Sequence, residues 1–179
     1  GAYTQESPGR DDLGFKVSLS GLTGGHSGGD IQIGRGNANK LMNRLLFVGT
    51  EEFGLRVASI DGGSLRNAIP RESFAEISIP AAKVEGFKKY VAELTATLKL
   101  EYAATDPHLN LELEETETPS AVAAMVFQNK LLRSLYACPN GVYRMSAVME
   151  GLVQTSNNLA RVNVSEGNYE ILCLCRSAI

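Results

Sequence analysis

The sequence predicts an α+β fold: a ferredoxin-like split βαβ unit extended by a partial second unit, forming an antiparallel sheet with its helices on one face. Three observations predict it. Apolar residues alternate at a period of two, then recur at helical spacing, in the order β-α-β-β-α-β. A further α-β-β run follows in the same chain. The composition, 44% hydrophobic and 21% charged over 179 residues, is that of an ordinary globular domain. A chain of this length buries about 70% of its unfolded surface without staples.

The elements follow in order. Phe15-Lys16-Val17-Ser18-Leu19 alternates apolar with polar and predicts a first strand. A glycine-rich stretch from Gly21 to Gly36 comes next. Ala38, Leu41, Met42, Leu45 and Leu46 recur at helical spacing, with Asn37 placed as N-cap and Gly49 as the stop. Residues 55–60 read as a second strand, punctuated by Asp61-Gly62-Gly63, and Phe74 to Ile79 as a third, ended by Pro80. Val84, Phe87, Val91, Leu94 and Leu98 form a helical stripe. Leu109, Leu111 and Leu113 alternate with Asn110, Glu112 and Glu114 in a half-buried fourth strand.

In the second run, Pro119-Ser120 opens a helix carrying Val122, Met125, Val126 and Leu135, closed by Pro139-Asn140-Gly141. Residues 160–164 and 169–176 read as two strands joined at Glu166-Gly167-Asn168. The last strand is apolar on both faces, which predicts a central place in its sheet. The split suggests subdomains at 14–105 and 106–179. The chain ends at Ile179, directly after this strand, and looks cut from something larger.

Composition excludes several functions. The net charge is −3 and no basic run occurs, so nucleic acid is not an expected partner. No apolar stretch reaches the ~18 residues of a membrane span. Gly1-Ala2-Tyr3-Thr4 lacks the features of a signal peptide. Three cysteines without framework spacing read as buried free thiols of a cytoplasmic protein; Cys173 and Cys175 point the same way but stand too far apart to bond.

Gly25-His26-Ser27-Gly28-Gly29 fits the G-x-S-x-G elbow of serine hydrolases, with Ser27 as nucleophile. That elbow needs strand, turn and helix in immediate succession, whereas here a polar glycine-rich stretch delays the helix. Gly34-Arg35-Gly36 begins like a dinucleotide fingerprint but has Asn39 where the third glycine belongs, and no G-K-[ST] follows any glycine run. His26 and His108 are the only histidines, too few for a hydrolytic zinc site, which takes three or four protein ligands. Glu112, Glu114, Glu115 and Glu117 read as a solvated face.

Gly24-Gly25-His26-Ser27-Gly28-Gly29-Asp30-Ile31, followed by Arg35-Gly36-Asn37-Ala38-Asn39-Lys40-Leu41, resembles the signature of the aminoacyl-histidine (Xaa-His) dipeptidases, a family within the class of zinc peptidases that includes carnosinase. Asn67-Ala68-Ile69-Pro70-Arg71-Glu72, Gly151 to Asn158, and Arg176-Ser177 extend the match along nearly the whole chain. Ala160 and Arg161 depart from it, standing where a glycine and an apolar residue are expected. The likeness is to the lid domain alone, covering 1–179. The catalytic zinc domain, with its two zinc or similar divalent ions, is absent.

This resemblance implies a cytoplasmic metallodipeptidase acting on dipeptides such as aminoacyl-histidine, with the lid inactive by itself and binding no metal. Its partners would be its own catalytic domain, a dipeptide substrate and a second copy in a homodimer. His26 would donate to the scissile carbonyl oxygen as negative charge develops there. Asn67 would hydrogen-bond the substrate, Arg176 would hold its C-terminal carboxylate bidentately, and Ser156 and Asn157, in a loop over 155–158, would bind the substrate as well. The alternatives are a flexible-loop histidine, a turn asparagine and an arginine ion-paired inside the fold. For the chain as a whole, the alternative is a structural dimerisation module.

Overall fold

The computed structural model describes residues 1–179. Its main sheet has seven strands, all paired antiparallel. The first unit contributes β2 (Asp12–Ser20), β4 (Arg56–Gly62), β6 (Ser73–Pro80) and β7 (Asn110–Thr116), joined by α1 (Ala38–Phe53) and α2 (Val84–Glu101). They stand in the order β4-β6-β2-β7, the fourth strand beside the first and the third inserted between first and second. This is the split βαβ arrangement the sequence predicts. Two short ribbons lie apart from the main sheet: β1 (Gln5–Glu6) with β8 (Val122–Ala123), and β3 (Gly25–His26) with β5 (Ala68–Ile69).

The second run supplies α3 (Met125–Ala137), β9 (Gly141–Met145), β10 (Val153–Ser165) and β11 (Asn168–Ser177). β10 extends the sheet by pairing with β4 over Val162–Gly62, Asn163–Asp61 and Val164–Ile60. Its N-terminal half pairs with β9 instead, and β11 runs along its other flank. The β10–β11 hairpin closes on Glu166-Gly167. Both have positive φ, +48° and +76°, as the two-residue turn that matches strand twist requires.

One cluster of 28 buried apolar residues joins all three helices to a single face of the sheet. Phe15, Val17 and Leu19 of β2 and Ala75, Ile77 and Ile79 of β6 meet Leu45 and Leu46 of α1 and Phe87, Val91, Leu94 and Leu98 of α2. Each fully buried side chain of this kind stabilises the fold by about 1.5–3 kcal/mol. Asn37 caps α1 as expected, its side-chain oxygen accepting from the backbone N–H of Asn39 and Lys40.

Several boundaries differ from expectation. α1 does not stop at Gly49 but runs to Phe53, and Gly54 (φ +70°) ends it. Gly49 serves packing: a Cβ there would come within 2.7 Å of Leu55 Cδ1 and 3.2 Å of Phe87 Cε2. The third helix begins at Met125 rather than at Pro119-Ser120. Val122 and Ala123, fully buried, pair with Gln5 and Glu6 in an extended ribbon, and the Glu6 carboxylate accepts the free Met125 N–H at 2.8 Å. Residues 155–158, expected as a loop, belong to β10.

The largest correction concerns β11. It is an edge strand, not a central one, and pairs with β10 along its length, with a single bridge from Asn168 to Ala2 on the other side. Ile171 packs against the core, but Cys173 and Cys175 beyond it are exposed, and Cys138 is half-buried. The thiols are free as expected, yet not buried, because no further strand covers this edge. No helix is long and apolar enough to cross a membrane.

Candidate functional site

The glycine-rich segment folds into a braced loop. His26 pairs with Ala68 across the β3–β5 ribbon, and its backbone N–H donates to Asp30 Oδ2 at 2.8 Å. Asp30 faces Arg35 at 3.5 Å, and Arg35 donates to the Gly24 carbonyl at 2.6 Å. The His26 ring is exposed, and its orientation is fixed. Nδ1 accepts the backbone N–H of Gly28 at 3.2 Å and of Gly29 at 3.0 Å. A ring nitrogen that accepts carries no proton, so the neutral imidazole keeps its hydrogen on Nε2, pointing away from the loop.

Arg176 reaches the same loop from the opposite end of the sequence. A Cβ on Gly28 would stand 3.1 Å from both Nε and Cζ of Arg176, so a side chain there would push the guanidinium back by a few tenths of an ångström. The guanidinium makes no ion pair or hydrogen bond inside the chain, whereas Arg35, Arg44, Arg56, Arg133 and Arg161 each face a carboxylate. Ser156, buried, lies opposite Arg176 in the β10–β11 register. Asn67 is exposed beside the ribbon and its carbonyl accepts the Ser27 N–H at 2.9 Å.

His26, Asn67 and Arg176 therefore border one loop, and Ser156 stands beside Arg176 in the strand register. Asn157 has a different setting. Its amide nitrogen donates to the Pro139 carbonyl, and its oxygen accepts from Cys175 Sγ at 3.0 Å. Ser27 Oγ is buried and has no hydrogen-bond partner, and its neighbour His26 spends Nδ1 on the loop backbone. A short 3-10 turn over Ile31–Ile33 intervenes before α1, so no strand-turn-helix elbow forms.

Sequence reasoning missed the residues that stitch the site together. Asn158, fully buried, donates to the Ala68 carbonyl at 2.7 Å and ties β10 to the strand opposite His26. Asn37 donates to Asn158 Oδ1, the Leu159 carbonyl and Asn140 Oδ1, linking the start of α1 to β10. Asn37 is expected only as a helix cap, and nothing in the local pattern at Asn140 or Asn158 announces these bonds, whose partners only the fold brings near. A half-open cavity of about 580 Å³ flanks the ribbon, lined by Gly25, Ala68, Arg71 and Arg161 among others, and includes none of His26, Asn67 and Arg176.

No three His, Cys, Asp or Glu side chains come together in a way that could hold a metal ion, so the residues present do not fit one. What the loop offers is an outward N–H donor and an unpaired guanidinium on either side of a bare glycine. That pairing suits a polar ligand with an oxygen at one end and an anion at the other.

A family model described as the peptidase dimerisation domain matches residues 17–106, and the chain belongs to that family. It is 46% identical over 165 residues to the cytosol non-specific dipeptidase of Escherichia coli (strain K12), covering 92% of this chain and 34% of that protein. Its fold superposes on the crystal structure of aminoacylhistidine dipeptidase from Vibrio alginolyticus with a TM-score of 0.96 and 40% identity, covering 100% of this chain and 36% of the other. The chain thus spans about a third of the length of the relatives it matches.

Proposed function

We propose that this chain is the substrate-facing lid of a dipeptidase, and that it closes the peptide-binding site from one side. His26 Nε2–H donates to the carbonyl oxygen of the scissile bond and holds it more strongly as negative charge grows. Arg176 takes the C-terminal carboxylate of the dipeptide in a planar two-point contact. Asn67 and Ser156 flank the bound peptide. The observation that supports this reading is the approach of Arg176 to the His26 loop across Gly28, with the guanidinium left unpaired.

The names of the relatives supply the substrate class, a dipeptide, and a cytoplasmic location. The family name supplies a homodimer as the assembly. The divalent ions implied for the parent would be held by its catalytic domain, and nothing in this chain's own chemistry runs through them. A purely structural dimerisation role is the second reading, favoured by the family's description.

The test compares specificity constants of the intact peptidase and its Arg176→Lys variant on matched dipeptides with free and amidated C-termini. An ammonium cannot reproduce the planar fork, so the free dipeptides should lose about 2–5 kcal/mol of recognition while the amidated ones hardly change. Equal losses on both, or unchanged activity on both, would leave the dimerisation role standing alone.

A further inference from the structure

The three cysteines, far apart in sequence, gather where the C-terminus of α3 meets the edge strand β11. Cys138 Sγ lies 3.6 Å from Cys173 Sγ. A disulfide needs about 2 Å between sulfurs, so the pair must draw together, and Cys173 is exposed at the sheet edge with room to turn. Cys175, two residues further along the same face, is engaged with Asn157 Oδ1 at 3.0 Å. Two residues of extended strand separate it from Cys173 by about 6.5–7 Å, too far for a bond between them. Lys40 fixes the end of α3 beside this pair, its ammonium donating to the carbonyls of Leu135, Tyr136 and Cys138. The sulfur contact is therefore held by structure on both sides: a capped helix end and a strand in register with β10.

We infer that Cys138 and Cys173 form a site of reversible oxidative modification, closing to a disulfide when the protein meets a hydroperoxide. The exposed Cys173 reacts first. Its sulfur attacks one peroxide oxygen, an S–O bond forms, the O–O bond breaks and water leaves, giving a sulfenic acid. Cys138 sulfur then attacks the Cys173 sulfur. The S–S bond forms, the S–OH bond breaks, and the hydroxide departs as water with the Cys138 proton. Two thiols and one hydrogen peroxide thus become one disulfide and two waters, each sulfur giving up one electron and each peroxide oxygen gaining one. Burial, and next the hydrogen bond with Cys173, push the Cys138 thiol up to about 11, so near neutrality it stays protonated and acts second. The bond would tie the end of α3 to the strand that carries Arg176.

The experiment treats the reduced protein with near-stoichiometric hydrogen peroxide, unfolds it, alkylates free thiols with iodoacetamide and maps the tryptic peptides by mass. The expected result is alkylation of Cys175 alone, with the Cys138 and Cys173 peptides linked and released again by dithiothreitol. Cys175→Ser should keep the link and Cys138→Ser should abolish it, leaving Cys173 oxidised but uncrosslinked. The same dose given to protein unfolded in urea should lose the preference for this pair. Alkylation of Cys138 after peroxide would overturn the inference, as would a link mapping to Cys175, a link between two copies of the chain, or equal linking in urea.

Discussion

The unit from β2 to β7 and the run from α3 to β11 hold their shape by different means. The first is an apolar assembly: alternating residues of β2 and β6 interleave with the stripes of α1 and α2 around Phe87. The second gives fewer side chains to the same cluster, chiefly Leu131, Leu132 and Leu135 of α3 and Leu159, Val162 and Val164 of β10. Much of its placement comes from amides instead, with Asn37, Asn140 and Asn158 bonded across α1, β10 and the β3–β5 ribbon. Apolar burial is strong and tolerant of direction. A buried amide adds only about 1 kcal/mol net, but its partners must lie where its donors point. The frame is built by the first means and the position of the site by the second.

The sharpest break between them is Phe87→Ala. Removing a fully buried ring from the shared core should cost about 3–5 kcal/mol in urea unfolding. A loss under about 1 kcal/mol would mean the core repacks and the frame is not apolar in the sense argued. His26→Ala should do the reverse. Turnover by the intact peptidase should fall roughly 100- to 1,000-fold, the value of one oxyanion donor, with the melting temperature unchanged. Near-normal turnover would return His26 to a loop without a chemical role.

Asn158→Leu falls between the two. It leaves the Ala68 carbonyl without its 2.7 Å donor and should cost about 1–3 kcal/mol of stability. It should also raise KM for dipeptides, since the His26 ribbon loses its tie to β10; a stability loss with unchanged KM would make the amide structural only.

The smallest effect is at Glu6. Its carboxyl is held below the usual range, first by the Met125 N–H bond, with Arg56 assisting. A lowered folded pKa contributes stability that is present above the unfolded value of about 4 and is lost as pH falls through the folded one. Glu6→Gln should therefore lower stability slightly at neutral pH and converge with the wild type in acid, which flattens the acid limb of the stability profile. An identical acid limb in both proteins would discount the cap.

How much could be read from sequence follows the same division. Phe15 to Leu19, Val84 to Leu98 and the Asn37 cap declare themselves by period and position, so the split βαβ order was legible. β11 misled because Leu172, Cys173, Leu174 and Cys175 look like a strand buried on both faces, and nothing local says that no strand lies beyond. Gly49 looked like a stop because a glycine kept for close packing against Leu55 is written with the same letter as one kept for a turn. His26 and Arg176 were singled out through resemblance. Asn158 and Asn37 act through partners that only the fold brings near, and the contact between Cys138 and Cys173 likewise exists only once β11 lies against α3.

β10 joins β4 through three residue pairs, whereas β2 pairs with β6 over eight. Ladder length governs which parts of a protein open together in native-state hydrogen exchange. The backbone amides of Val162 and Val164 are therefore expected to exchange by partial opening of the β9-β10-β11 layer, while those of Val17 and Ile77 exchange only with global unfolding. Arg176 sits on β11 within this layer, and the Asn158–Ala68 bond carries the His26 ribbon with it, so the two would move together when the layer opens.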